Sequence, residues 1–379
     1  MDWLIPLGDI DFGMEEESAV LEVLRSRWLT LGAVTQSFER EFADSVGARH
    51  AIAVNNATAA LHLACLACGI GPGDEVIVPS LTFVATANAV RYTGATPVFA
   101  DVVSEQDLTI SIRSIEDCLT KKTRAIIVMH YGGYACDMQA IMAFANQHGL
   151  AVIEDAAHAA GSTLEGRGLG SWGQAGCYSF FSNKNMTTGE GGMLVTSDDT
   201  IAGKLRNLRS HGMTSMTWDR HKGHAWSYDV TSLGYNYRID EIHSAIGRVQ
   251  LAKLTHNNIR RAQAVSQYQD LLQELAPSII VPFQSHRGQS SYHIMPILLP
   301  KGKDRLSFME SMKAQRIQTS IHYPPIHKFS AYAEIDQSLR PPLPVTEDIV
   351  EREVTLPLYP GLSENDVLTV VQAVQKAMN

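Results

Sequence analysis

Basic residues are in deficit in this 379-residue chain: 31 Lys and Arg stand against 40 Asp and Glu, a formal net charge of −9. Nucleic acid and anionic membranes both demand a basic face, so neither is expected as a partner. Long apolar runs are also missing. The longest uncharged stretch, Ala51 to Gly73, is broken by Asn, Thr, His, Pro and several Gly, so it reads as a buried strand and helix and not as a membrane span. The opening Met-Asp-Trp-Leu-Ile-Pro has no basic region ahead of an apolar segment. No signal peptide is therefore expected, and the chain reads as soluble and cytoplasmic. The cysteines number only five and are scattered, which excludes a disulfide scaffold. Cys65-Leu66-Ala67-Cys68 has a metal-like spacing, but it lies in an Ala- and Leu-rich helical stretch with no second Cys or His pair to complete a site. Buried thiols and no metal are the expectation. Gly166-Arg167-Gly168-Leu169-Gly170 imitates a dinucleotide loop, yet lacks the preceding strand and following helix, and reads as a turn ahead of the strand carrying Ser179.

What is present is enough apolar residue, 45%, to bury one large core and a smaller one. Apolar runs near 51–54, 75–78, 96–100, 124–129 and 150–154, then 176–181 and 191–195, alternate with helical segments such as 137–148. That alternation predicts an α/β chain with a mostly parallel sheet flanked by helices. Residues 239–275 keep helical periodicity with no Gly or Pro after Gly247 and are expected to join two domains. The boundary is placed at 250, with a large domain over 1–250 and a smaller α+β domain over 251–379. The latter should contain a strand at 293–299 and helices at 303–315 and 364–378.

The chemistry concentrates in Ser179 to Gly192, where Lys184 stands between an apolar strand and a polar, glycine-rich turn. A Schiff-base lysine needs such a place, because part of the time its amine must be neutral, which desolvation favours. The alternative is a surface loop lysine. About thirty residues upstream, the apolar run Ala151 to Ile153 ends in Glu154-Asp155 and continues as Ala156-Ala157-His158. Ligands in open α/β sheets lie at the carboxyl ends of strands, so Asp155 should face a bound cofactor. A carboxylate there suits pyridoxal phosphate (PLP), whose pyridine nitrogen must stay protonated if the ring is to absorb an electron pair. His158 is placed to donate to the cofactor's phenolic oxygen or to stack on its ring. The alternatives are an N-cap for Asp155 and a satisfied core histidine for His158.

Residues 51–69 read as strand, small polar turn and helix, which makes an anion site from the amides around Ala57, Thr58 and Ala59 with the Thr58 hydroxyl as an added donor. A plain N-cap by Asn56 or Thr58 is the alternative. Phe83, after the strand at 75–78, is placed to stack on a flat ring, although core packing is the commoner use of such an aromatic.

These segments, together with Trp28 to Gly32, Phe38 to Ala43, Gly234-Tyr235-Asn236-Tyr237-Arg238, His322-Tyr323-Pro324-Pro325 and Leu356 to Leu362, resemble the DegT/StrS-type nucleotide-sugar aminotransferases along nearly the whole chain. The resemblance implies PLP-dependent transferase fold type I: a large domain with a mostly parallel mixed sheet plus a smaller α+β C-terminal domain. It implies Lys184 as the Schiff-base lysine and Asp155 as the pyridinium partner, the two catalytic residues. It places Phe83 on the ring face away from the lysine, with Ala57, Thr58, Ala59 and Ser179 on the phosphate. His158 matches a position filled by histidine or glutamine in the family. Asn236 would reach the phosphate of the neighbouring subunit, so a homodimer with a shared site is implied. Ala57 departs from the family, which often has glycine there; an alanine amide donates equally well.

The family's reaction would move an amino group from L-glutamate to a nucleotide-linked keto sugar in two half-reactions, with Lys184 as acid and base. Related dehydratases carry histidine in place of that lysine, so Lys184 favours amino transfer over deoxygenation. The Thr-Thr-Gly-Glu-Gly-Gly continuation at 187–192 resembles enzymes that aminate C4 of a 4-keto-6-deoxyhexose more than those that aminate C3. A 3-keto sugar, a keto-cyclitol or a sugar acid remains an alternative acceptor, and a dehydratase or lyase an alternative reaction. A regulator without catalysis would have little reason to keep Lys184, Asp155 and Ser179 together. Thr30, His211, Tyr323 and His327 are candidate substrate contacts, with solvated loop residues as the alternative. The cation- and aromatic-rich segment 213–226 suits a nucleotide diphosphate or a dimer interface equally.

Overall fold

The computed structural model describes residues 3–214, 227–335 and 341–378. Its centre is a seven-stranded mixed sheet, with β1 (His50–Val54), β2 (Glu75–Pro79), β3 (Thr96–Ala100), β4 (Thr123–Met129), β5 (Ala151–Asp155), β6 (Ala175–Ser179) and β7 (Gly192–Thr196) in the spatial order β1-β7-β6-β5-β4-β2-β3. Pairing is parallel from β6 through β5, β4 and β2 to β3. Only β7 runs against its neighbours, pairing antiparallel with both β1 and β6. Six strands therefore end at one edge of the sheet, and β7 begins there.

The strands carry uninterrupted apolar runs because both faces are covered. Successive residues alternate between two cores: Ala51, Ala53, Ile77, Ile126, Val128 and Val152 face one, whereas Ile52, Val54, Val76, Val78, Ile127 and Ile153 face the other. The alternation of strand and helix gave no account of two helices ahead of the sheet, α1 (Met14–Ser26) and α2 (Ala33–Val46). Beyond them α3 (Ala57–Ala67) buries Cys65 within the second core, as its helical setting suggested. Within the glycine-rich 166–170 segment, Gly166 completes the Glu165–Gly166 turn of a short hairpin and Arg167–Gly168 is its second strand, paired with Thr163–Leu164.

α4 (Ala85–Tyr92), α5 (Met138–His148) and α6 (Asp199–Arg209) also flank the sheet, and the 35-residue α7 (Glu241–Leu275) leaves it. Asp240 caps α7 by accepting from the His243 N–H. Gly247 inside α7 lowers helix propensity by about 1 kcal/mol relative to alanine. Its vacancy is used, since a Cβ there would lie 2.6 Å from Cζ of Phe38, the ring that packs α2 on α7. Leu254 still belongs to the sheet's core, whereas Ala264, Val265, Tyr268 and Leu272 belong to another. That second body contains β8 (Met295–Leu298) and β9 (Glu353–Leu356), paired antiparallel, with α8 (Arg305–Ala314) and α10 (Glu364–Met378); α9 (Pro344–Arg352) leads into β9. Ile5 from the amino-terminal segment joins its core and bridges to Ile317. No helix among the described residues is long and apolar enough to cross a membrane.

Glu154 holds the loop beside β5. Its carboxylate is fully buried and accepts from the N–H groups of Gly170, Trp172 and Gly173 at 2.6–2.7 Å and from His130 Nε2 at 3.0 Å. Glu154→Ala would leave those donors buried and unpaired. We expect a loss of about 3–5 kcal/mol in urea unfolding, with a smaller loss for Glu154→Gln, which keeps one acceptor oxygen.

Candidate active site

Six of the seven strand ends gather at one edge, and a cavity of about 340 Å3 opens there. It is lined by Asn56, Ala57 and Thr58 after β1, Phe83 after β2, Asp155 and His158 at and after β5, Ser179 and Lys184 at and after β6, and His322 and Tyr323 from the C-terminal body. A larger groove of about 840 Å3 lies between α2, α7 and the 163–168 hairpin, but the lysine and acid are absent from its lining. Chemistry, not size, selects the smaller one.

Asp155 is the last residue of β5 and is buried. Thr86 Oγ1 donates to its Oδ2 at 2.7 Å and the Ala157 N–H to its Oδ1 at 3.1 Å. Thr82 then donates to Thr86 at 2.9 Å, because the Thr86 proton is already given to the carboxylate. Burial raises the Asp155 pKa above the usual carboxylate range, against those hydrogen bonds and the nearby Lys184 charge. Lys184 sits in the turn after β6, its N–H donating to the Phe181 carbonyl at 2.9 Å. Burial lowers its amine to about 8, opposed by the Asp155 carboxylate.

At the opposite end, Asn56 caps α3 by accepting from the Ala59 N–H at 2.8 Å. Ala57 and Thr58 lie in the first turn, whose N–H groups have no helical carbonyl to bond. The start of β7 presses against this turn: a Cβ on Gly192 would stand 2.6 Å from the Asn56 carbonyl carbon and 2.8 Å from the Ala57 nitrogen. Gly192 is thus required by a close backbone approach at the N-terminus of α3.

His158 offers the cavity its ring. Its Nδ1 accepts from the Gly132 N–H at 3.2 Å, so Nε2 carries the proton and donates to Tyr323 Oη at 2.9 Å. Burial, with the charges of Lys184 and His322, holds His158 well below the usual imidazole range, consistent with that neutral form. Phe83 is half exposed, with its ring 5.7 Å from that of Tyr323.

Five other candidates stand outside this lining. Ala59 faces an adjoining surface hollow with Tyr92 and Tyr237. The His327 imidazole is taken up by Ser80 Oγ at 2.7 Å and Glu347 at 3.3 Å. Thr30 is exposed and bridges to Asp240; Asn236 is exposed and bridges to Ser210; His211 is exposed, its N–H bonded to the Tyr235 carbonyl. Of the 213–226 segment, residues 215–226 lie outside the described residues. Thr86, Asn185 and His293 are not among the sequence candidates. Lys184 Nζ lies 3.4 Å from His293 Nε2, 109 positions away in sequence. The only signal for His293 was a polar residue at the head of the apolar run 293–299.

Two outcomes follow. In protein free of cofactor, acylation of Lys184 should rise with a midpoint near pH 8, against about 10.4 for an ordinary lysine, as read by peptide mass spectrometry. Gly192→Ala should keep the fold but weaken binding of PLP by about tenfold or more, measured by fluorescence titration, because the turn bearing Ala57 and Thr58 must shift.

The model of the DegT/DnrJ/EryC1/StrS aminotransferase family matches residues 11–375. The spore coat polysaccharide biosynthesis protein SpsC of Bacillus subtilis is 42% identical over 368 residues, 96% of this chain and 94% of SpsC. Among solved structures, Helicobacter pylori PseC, an aminotransferase involved in the biosynthesis of pseudoaminic acid, superposes with a TM-score of 0.91 at 29% identity, covering 100% of this chain and 99% of PseC. DesV of S. venezuelae gives 0.90 at 34% identity, covering 99% of both chains. A lysine and a buried acid at the strand ends of a mostly parallel sheet are what such chemistry needs, and with these likenesses they place the chain in the DegT/DnrJ/EryC1/StrS family of sugar aminotransferases.

Proposed function

We propose that the protein binds PLP in the 340 Å3 cavity and transfers an amino group from L-glutamate to a nucleotide-linked keto sugar, at C4 of a 4-keto-6-deoxyhexose. The observation that carries this reading is Lys184 itself: an amine lowered to about 8 by burial, facing a buried carboxylate across a cavity with a helix N-terminus at its other end. The residues fit the group. Asp155 suits a pyridinium N–H, the first turn of α3 with Thr58 and Ser179 suits a phosphate, and Phe83 and His158 offer flat faces to a ring. When bound, PLP supplies an electron sink for the pair released as a substrate C–H bond breaks.

Lys184 Nζ then has two tasks, holding the cofactor covalently and moving the proton between donor carbon and cofactor. An amine near pKa 8 suits both, because it is released from its proton at little cost near neutral pH. Asp155 holds its proton-bearing partner in place from β5, and Thr86 fixes the carboxylate's orientation. The C4 assignment rests on the Thr187 to Gly192 continuation. Thr30, His211, Tyr323 and His327 remain proposed substrate contacts, and Tyr323 is the one among them that lines the cavity. A homodimer would bring Asn236 of one copy to the phosphate of the other, and the exposure of Asn236 in the single chain leaves it free to do so.

The deciding experiment is a visible spectrum of the PLP-loaded protein before and after L-glutamate, followed by nucleotide-linked 3-keto and 4-keto sugars. Glutamate should bleach the absorbance of the bound cofactor and a 4-keto sugar should restore it; restoration by a 3-keto sugar alone would move the assignment to C3. An unchanged spectrum with glutamate would overturn the amino donor. Lys184→Ala should still bind pyridoxamine phosphate while transamination falls by roughly 10²–10⁴-fold or more.

A further inference from the structure

We propose that His293 is a positioning residue for Lys184, a neutral imidazole locked so that it only accepts a hydrogen bond from the lysine amine and thereby fixes where Nζ carries its protons. The lock is an ordered chain of hydrogen bonds. His293 pairs through Nδ1 with Asn185 Oδ1 at 2.8 Å. Asn185 has one orientation, because its Nδ2 donates to the Ser291 carbonyl at 2.6 Å, and a carbonyl oxygen only accepts. The same Nδ2 donates to Asn258 Oδ1 at 2.7 Å, and Asn258 is fixed in turn by donating to the Ala160 carbonyl at 3.0 Å. With Asn185 offering only an oxygen, His293 must carry its proton on Nδ1 and present the lone pair of Nε2. That nitrogen is the one 3.4 Å from Lys184 Nζ.

All four members of the chain, Asn185, Asn258, Ser291 and His293, are buried, so water does not loosen it. The titratable groups facing the amine are Asp155 on β5, His158 on the turn after it, and His322 and Tyr323 from the C-terminal body. Arg261 on α7 donates to the His293 carbonyl from behind. Burial, followed by the charges of His158, Lys184, Arg261 and His322, keeps the imidazole well below its ordinary range and hence neutral. An ammonium donates more strongly than an amine. His293 therefore supports the protonated lysine against the burial that disfavours it, and holds the proton on a defined side of the cavity. Its catalytic weight rests on the proposed role of Lys184 as acid and base; its hold on Nζ does not.

The test is a pH titration of Lys184 by competitive acetylation with acetic anhydride, read by peptide mass spectrometry on the full chain free of PLP. His293→Phe should lower the midpoint by about one pH unit, whereas His293→Gln, which keeps an acceptor, should stay within a few tenths. Asn185→Leu should lower it comparably although His293 is still present, because the ring is then free to turn an N–H toward the lysine. The double variant should add nothing further. In the PLP-loaded protein, His293→Phe should lower kcat about tenfold with the KM for glutamate unchanged.

An unchanged midpoint in folded His293→Phe overturns the proposal, and so does an equal shift for Phe and Gln, which would mark a packing role. Should Asn185→Leu fail to fold, the contrast between Phe and Gln decides. If Lys184→Ala keeps transaminating while the midpoints shift as expected, the hold on Nζ stands and the catalytic reading of Lys184 falls.

Discussion

An amine stays close to neutrality only where water is kept away and a counter-charge is near enough to prevent its being expelled, and the architecture around Lys184 follows from that constraint. Burial pulls the amine down and Asp155 pulls it back. Asp155 is itself taken out of water, so it needs donors of its own, and receives them from Thr86 and the Ala157 amide. Thr86 needs a partner for its oxygen and finds Thr82. Each buried polar group thus commits the next.

Strand direction makes this assembly possible. Parallel pairing from β6 to β3 brings the acid, the lysine turn and Phe83 to a single edge. The reversed strand β7 adds something a fully parallel sheet would lack, since its first residue meets the N-terminus of α3 at that edge. A bare backbone at Gly192 keeps the helix start close, and the positive end of the helix dipole then faces the same cavity as the amine.

The C-terminal body closes the other side. His322 is held by the Glu353 carboxylate and Thr355 on β9, and Tyr323 reaches across to His158. His293, just ahead of β8, reaches Lys184 itself. The amine is therefore enclosed from both the strand ends of the sheet and the C-terminal body, and its environment depends on how these meet as much as on its own loop.

Local sequence carried a good deal of this. Apolar runs placed all seven strands within a residue or two, because a strand buried on both faces has little freedom in composition. Lys184 and Asp155 were legible because the turn and strand end that present them are local structures with their own residue requirements. The C-terminal strand and the last helix were likewise legible from runs and periodicity. The supporting groups were not. Thr86 meets Asp155 across 69 positions and His293 meets Lys184 across 109, and no periodicity encodes a contact between segments that only packing brings together. For the same reason the contacts of His327 with Ser80 and Glu347 could not be read from the chain. Sequence determined which residues had the chemistry and which local structures would display them; the tertiary structure decided their protonation and orientation, because burial and partner choice exist only once distant segments have met.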